Sequence, residues 1–279
     1  MPRIVRCSII QASNAVPATE PLARQKEAMI EKHLELIRKA ASDGAQIVCL
    51  STGGTLKEHA MSDGNPFITL PTGYQPRAAL AHSFVPVLLV LEHIGLCAPQ
   101  RTHVNEAAEI LKSLAKKYGT DNLKDANDAL RLAGIVREKL PVIYSDCELV
   151  DTVNLRWRGQ IQENAKHVAF GNLLPEMNHN EINGWAHPAG RQQEFVVIFL
   201  RSPQDEHPRV AKRFDILREV LKLNNIHIEE RDAEGNSPLA QMFSLISLGD
   251  WLSYYIALLD GEDPSPVPVI QLLKSKLAG

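Results

Sequence analysis

Two side chains that could move protons stand sixteen residues apart in the middle of the chain. Glu163 lies in the polar stretch RWRGQIQENAKH, and His179 lies between two asparagines in NHNE. Acid–base chemistry needs such a pair on neighbouring elements, with one group moving a carbon-bound proton and the other serving an oxygen. The plainer interpretations are a surface ion pair between Glu163 and Lys166, three residues further on, and a solvated loop histidine. The spacing leaves both interpretations open.

A cation and a glycine-containing loop in the first half are further candidates. Arg77 follows Pro76 at the start of a predicted helix, where a positive charge opposes the helix dipole. An anionic ligand or intermediate would relieve that opposition, and the alternative is that Arg77 simply reaches solvent. The loop STGG at 51–54 directly follows a predicted buried strand. It would lie at the carboxyl edge of a parallel sheet, where α/β proteins bind ligands.

The framework for these residues follows from the periodicity of apolar side chains. It predicts strands at 3–10, 46–50, 67–70, 142–145, 194–200 and 226–231, and helices at 22–43, 75–95, 104–118, 122–138, 154–169, 205–224, 237–259 and 268–277. Pro86 predicts a kink or break inside the second of these helices. The alternation predicts an α/β fold with parallel sheets and helices on both faces. A boundary within 119–140 would divide it into domains 1–120 and 121–279.

Composition excludes several classes of protein. A net charge of −3 and a pI of about 6.4 argue against nucleic-acid binding. The four cysteines, Cys7, Cys49, Cys97 and Cys147, have no metal-ligand spacing, which predicts reduced core thiols in a cytoplasmic protein without a metal site. The N-terminus lacks the layout of a signal peptide, and the longest apolar run, 84–91, is too short to span a bilayer, so no membrane association is expected.

Several long motifs resemble a known family. The chain carries, in this order, STGGTL, LPTGYQPRAAL, RWRGQIQENAK, MNHNEINGW and LGDWLSYYIALLDGEDPSPVPVIQLLKSKL. From about residue 45 to the C-terminus it resembles the bifunctional phosphoglucose/phosphomannose isomerases of the sugar-isomerase (SIS) fold. The resemblance implies two SIS-like parallel-sheet α/β layers. It also implies interconversion of glucose 6-phosphate or mannose 6-phosphate with fructose 6-phosphate through a cis-enediolate, a reaction of glycolysis and gluconeogenesis, without metal or organic cofactor.

The same resemblance implies a role for each candidate residue. Glu163 would be the base that carries the proton between C1 and C2, and Arg77 would stabilise the charge of the enediolate. His179 would open the sugar ring, and in a homodimer it would reach into the active site of the neighbouring subunit. Lys274 would contact the substrate during ring opening, with Lys276 as a weaker match.

The front of the chain departs from that family. Members of that family carry a GSS-type turn and an SYSGNTEET-like loop that binds the sugar phosphate, and neither motif occurs in this chain. The phosphate-binding residues are therefore unknown, although Ser13 and Thr19 could offer hydroxyl groups. Residues 3–50 instead resemble the first strand–helix–strand of nitrilase-type carbon–nitrogen hydrolases. In those enzymes the second strand runs on into a catalytic glutamate, as in CLQE, whereas here it runs into Ser51-Thr52-Gly53. We therefore expect a chimera, in which a βαβ unit at 1–50 rebuilds a truncated first SIS domain.

Two consequences follow for activity and assembly. Without the phosphate loop, turnover should be lowered, because binding of the non-reacting phosphate positions the reacting carbons. The alternative is a non-catalytic SIS module that binds a phosphosugar or a partner. A sheet that has lost strands exposes an edge, which predicts a second chain covering it.

Overall fold

The computed structural model describes residues 15–17, 20–123 and 127–278. The predicted strand at 3–10 and the hydroxyl candidates Ser13 and Thr19 lie outside these residues. Contacts divide the chain into two compact units. The first unit comprises Met1–Gln100 with Pro268–Gly279, and the second unit comprises Arg101–Val267.

The elements follow the predicted alternation of strands and helices. In chain order they are α1 Leu22–Ser42, β1 Cys49–Ser51, α2 Gly54–Ser62, β2 Phe67–Thr69, α3 Leu80–His93, α4 Arg101–Tyr118, α5 Asp128–Val136, β3 Leu140–Asp146, α6 Asp151–Ala165, β4 Phe170–Leu174, β5 Phe195–Arg201, α7 Pro208–Leu223, β6 His227–Asp232, α8 Pro238–Leu259 and α9 Pro268–Ala278. Short 3-10 segments lie at Pro76–Ala78, Glu176–His179, Glu181–Ala186 and Gln192–Glu194.

The first unit holds a small parallel sheet. Strands β1 and β2 pair from Cys49 opposite Phe67 to Ser51 opposite Thr69, and α1 contacts α9. The predicted helix at 75–95 is divided, but not at Pro86. The 3-10 segment at Pro76–Ala78 precedes α3, which runs on through Pro86. A proline removes one helical hydrogen bond, and the remaining bonds of α3 carry the helix past it.

The second unit is a four-stranded parallel sheet in the order β4-β3-β5-β6. Alternate residues of each strand face opposite sides of the sheet. Ile143 and Ile198 pack with α4, α5, α6 and α8 on one face, while Tyr144 and Phe199 pack with α7 and the segments at Glu176–His179 and Glu181–Ala186 on the other. The predicted α/β class with parallel strands is confirmed.

The compact units and the predicted domains, 1–120 and 121–279, differ at two places. Helix α4 falls in the second unit because it packs against α8, and α9 falls in the first unit, where it contacts α1. Packing partners distant in sequence decide both assignments, and no linker composition marks them.

Within the second unit, the helix predicted at 154–169 begins and ends about four residues earlier. It stops at Ala165 because Lys166 adopts a left-handed conformation with φ of 56°.

Three further expectations concern single residues and elements. Cys49, Cys97 and Cys147 are free thiols. Cys49 and Cys97 are half-buried and Cys147 is exposed, so the predicted core position is wrong for Cys147, and Cys7 lies outside the described residues. Among the described residues, no group of three or more histidine, cysteine, aspartate or glutamate side chains could hold a metal ion. Helix α8 is long and apolar enough to cross a membrane, but 67% of its most apolar window is buried inside the protein.

Candidate active site

Helix α6, which carries Glu163, is fixed to α8 through its buried face. The Trp157 side chain is fully buried, and its indole nitrogen donates to the carbonyl oxygen of Leu245 at 2.8 Å. Gly249 makes this approach possible, because a Cβ at that position would lie 2.4 Å from the Trp157 Nε1 atom. The helix that presents Glu163 therefore has a defined position.

A polar row on α6 leads to Glu163. The Arg156 guanidinium and the Gln160 amide donate to the two carboxylate oxygens of Asp250 on α8, at 2.9 and 2.8 Å. Glu163 follows one turn later on that same side of the helix and is half-buried. Lys166, the partner in the surface-pair interpretation, donates to the backbone carbonyls of Asn164 and Asp263.

The Asp250 carboxyl is the hub of this row. Burial raises its pKa, while the Arg156 charge and the hydrogen bonds from Arg156 and Gln160 lower it. The Asp250 side chain is 37% exposed and pairs with the Arg156 guanidinium at 2.9 Å. Arg156 and Gln160 thus share the Asp250 carboxylate as their hydrogen-bond acceptor, and Glu163 lies at the end of this row.

His179 ends the 3-10 segment that follows β4. Met177 anchors this segment in the core, whereas His179 is exposed. The position of His179 between two asparagines suggested that their side chains orient the imidazole. In the structure these side chains bond to other groups instead. Asn178 accepts a hydrogen bond from Arg213 at 3.2 Å, and the Asn180 side chain accepts from the Glu181 amide at 2.6 Å. These side chains stabilise the loop that carries His179.

Glu181, which the sequence did not single out, is the most constrained acid of this loop. Its carboxylate accepts hydrogen bonds from the Tyr144 hydroxyl at 2.5 Å and from the Asn172 amide at 2.7 Å. Burial of the Tyr144 hydroxyl and its bond to Glu181 raise the Tyr144 pKa well above its usual value, so it remains a proton donor. The available signal was an acid directly after NHN, four residues before Trp185.

Glu163 and His179 lie on opposite faces of the same sheet. Helix α6 packs on the Ile143 face with Trp157 and Ile161, and the segment ending at His179 packs on the Tyr144 face through Met177. Successive residues of a strand point to opposite faces, so the sheet itself separates the two layers. Within one chain, the two proton-transfer candidates are therefore not brought together.

The other three candidates, Arg77, the STGG loop and Lys274, belong to the first unit. Arg77 is half-buried in the 3-10 segment beyond β2, and the Ser51–Gly53 turn follows β1. Since β1 and β2 are parallel neighbours, both loops leave from the carboxyl edge of the sheet, as predicted for a ligand site. Lys274 is exposed on α9.

Comparisons with known proteins decide the family. A family described as the bacterial phospho-glucose isomerase C-terminal SIS domain matches residues 125–277. A bifunctional phosphoglucose/phosphomannose isomerase from Caldicellulosiruptor bescii is 38% identical over 278 residues, covering 100% of this chain and 82% of that protein. The chain belongs to the bifunctional phosphoglucose/phosphomannose isomerase family. A second member, from Aquifex aeolicus, is 34% identical over 247 residues, covering 88% of this chain and 72% of that one.

Solved structures agree with the fold of this isomerase family. A glucose-6-phosphate isomerase like protein from Thermus thermophilus superposes with a TM-score of 0.56 at 19% identity, over 81% of this chain and 77% of that one. Tagatose-6-phosphate ketose/aldose isomerase from Escherichia coli gives 0.53 at 13% identity, over 78% and 61%. At such identities these likenesses show the fold alone.

The predicted isomerase family is confirmed, and it extends further than expected. The 38% match covers the whole chain, so residues 1–44 also align with the isomerase from C. bescii. The resemblance of residues 3–50 to nitrilase-type hydrolases, and the chimera inferred from it, have no support in these comparisons.

Proposed function

We propose that this chain interconverts glucose 6-phosphate or mannose 6-phosphate with fructose 6-phosphate, with Glu163 as the base. Glu163 would take the proton from C2 of the open-chain aldose and return it to C1 of the cis-enediolate. The observation that carries the assignment is the position of Glu163 at the end of a paired polar row on a helix fixed to α8. A base held on a rigid element keeps the geometry that proton transfer requires.

Two cations of the first unit complete the proposed chemistry. Arg77 would stabilise the negative charge that develops on the enediolate oxygens, and Lys274 would contact the substrate during ring opening. The half-buried place of Arg77 at the carboxyl edge of the small parallel sheet supports this role. We assign no residue to the phosphate, because the SYSGNTEET-like loop does not occur in the sequence, and we expect lowered turnover for that reason.

The ring-opening histidine would come from a second copy of the chain. The elements that carry Glu163 and His179 pack on opposite faces of one sheet, which supports a site that combines two chains. We therefore propose a homodimer in which each His179 serves the neighbouring site. The net charge of −3 argues against a nucleic-acid partner, and four dispersed cysteines without metal-ligand spacing favour a cytoplasmic enzyme without a metal site; we expect no membrane partner.

The testing experiment compares isomerisation of fructose 6-phosphate by the wild type, by Glu163→Gln and by Glu219→Gln. Glu219 is an exposed glutamate on α7 and serves as the control that removes the same charge. Loss of a general base lowers turnover by about 10²–10⁴-fold, so we expect that loss in Glu163→Gln alone. Equal turnover in Glu163→Gln and the wild type would contradict the assignment. A folded wild type without activity on either aldose phosphate or on fructose 6-phosphate would favour the non-catalytic phosphosugar-binding module.

A further inference from the structure

A cavity of about 620 Å³ lies over the free edge of β4 in the second unit. Its volume is in the range of small-molecule sites. Its walls are partly aromatic, and several polar side chains converge on it. The residues that matter for its chemistry are Arg158, Gln162, Phe170, Glu181, Trp185 and His187.

Arg158 is a cation in the lining of this cavity that forms no ion pair among the described residues, although the Glu181 carboxylate also lines the cavity. Among the residues that the structure describes it makes no hydrogen bond or ion pair, and its buried Nε atom has no acceptor. The fold accommodates its stem closely, because a Cβ at Gly171 would lie 3.0 Å from the Arg158 Cδ atom. A partly buried guanidinium is stabilised by an anion, and its planar fork of donors suits a phosphate or a carboxylate.

Another part of the cavity lining offers groups that recognise hydroxyls. The Glu181 carboxylate is bound by two neutral donors, the Tyr144 hydroxyl and the Asn172 amide, which leave it further acceptor capacity. The Trp185 ring stands beside it, edge-on to Tyr144 with ring centroids 6.4 Å apart. An aromatic face next to a carboxylate suits a ligand with carbon-bound hydrogens on one side and hydroxyl groups on the other.

This cavity is distinct from the Glu163 site. Residues of an α-helix advance by about 100° each, so Glu163 stands about 140° around α6 from Arg158. The Arg156, Gln160 and Glu163 side faces α8, as the Asp250 contacts show, whereas Arg158 and Gln162 line the cavity at the β4 edge. One helix thus separates the two sites.

We propose that this cavity binds a hydroxylated organic anion of about the size of a sugar phosphate. Its anionic group pairs with Arg158, and its hydroxyl groups donate to Glu181 against the Trp185 ring. Its lining includes none of the proposed catalytic residues Glu163, His179, Arg77 and Lys274, and the proposal does not depend on the proposed reaction.

Indole N–H resonances of the ¹⁵N-labelled protein provide the test. The chain has three tryptophans, and Trp185→Phe identifies the signal of Trp185. Titration with sorbitol 6-phosphate should shift that signal saturably and at lower concentration than inorganic phosphate does. Arg158→Gln should weaken binding about ten-fold or more, since a charge-assisted hydrogen bond is lost. Arg158→Lys keeps the positive charge but lacks the planar guanidinium, so its affinity should lie between those of the wild type and Arg158→Gln. It replaces Arg158→Gln if that variant does not fold.

Two controls separate this site from other anion binding. Arg209→Gln removes an exposed charge elsewhere and should leave the titration unchanged. Arg77→Gln should also leave it unchanged, and a loss there equal to that in Arg158→Gln would show that Trp185 reports the catalytic site, which overturns the proposal. So would the absence of any shift up to about 10 mM, ten times a 1 mM dissociation constant. Equal affinity for sorbitol 6-phosphate and inorganic phosphate would show that the hydroxyl groups are not recognised, which also overturns the proposal.

Discussion

Mixing two inactive variants tests whether His179 serves the neighbouring chain. In Glu163→Gln the base is lost, and in His179→Ala the ring-opening group is lost, so each variant alone should be nearly inactive. The sheet places these groups on opposite faces of one chain. In a symmetric dimer with shared histidines, the mixed dimer contains one site with both defects and one fully intact site.

The expected recovery has a definite size. Random pairing at equal amounts makes about half of the dimers mixed, and one of their two sites is intact, so about a quarter of wild-type activity should return. The assay is fructose 6-phosphate turnover by the two variants co-expressed with different affinity tags. Pairing Glu163→Gln with the double variant Glu163→Gln, His179→Ala provides no intact site and should stay inactive. Activity of the first mixture no higher than the mean of its parents would refute the argument from the sheet.

Three further predictions concern stability. Asp250→Asn should lower the free energy of unfolding by about 1 kcal/mol in urea titrations, because it removes the carboxylate charge that pairs with the half-buried Arg156, while the exposed Asp215→Asn should barely move the midpoint. Gly249→Ala should destabilise by about 1–3 kcal/mol through its clash with an indole ring, whereas Gly134→Ala, with open space on α5, should stabilise by about 0.5–1 kcal/mol. Burial raises the pKa of Glu229, but its hydrogen bonds to two arginines and a histidine outweigh this and hold it at about 2, below its ordinary 4.5. The stability that this carboxylate contributes is present above pH 4.5 and is lost as pH falls towards 2, so Glu229→Gln should flatten the acid limb of stability against pH.

Most of the framework could be predicted because its signals are local. The strands at 194–200 and 226–231 and the helices at 22–43 and 237–259 appear within about one residue of the predicted limits. Strand β4 was missed because its sequence, FGNLL, contains glycine and asparagine, which are poor strand formers. Pairing with β3 stabilises this strand, and that pairing involves residues distant in sequence.

The candidate site was predictable only in part. Residue types and motif order identified Glu163 and His179, and their roles remain predictions. Their placement on opposite faces of the sheet depends on strand alternation around Ile143 and Tyr144 and on which helices pack there. The ion pair of Asp250 joins residues 94 positions apart, so nothing in the local sequence announces it.

The crowding of polar residues between Arg156 and Trp185 has three separate physical causes. One side of α6 is polar because Arg156 must meet the Asp250 carboxylate on α8. Another side of α6 is polar because Arg158 lines the cavity over the β4 edge. The loop after β4 is polar because Glu181 accepts a hydrogen bond from the Tyr144 hydroxyl. Helical periodicity alone already separates the first two groups, since residues two positions apart on a helix point about 160° apart. A single active site is therefore not needed to explain the composition of this stretch, and the role of Glu163 rests on its own test.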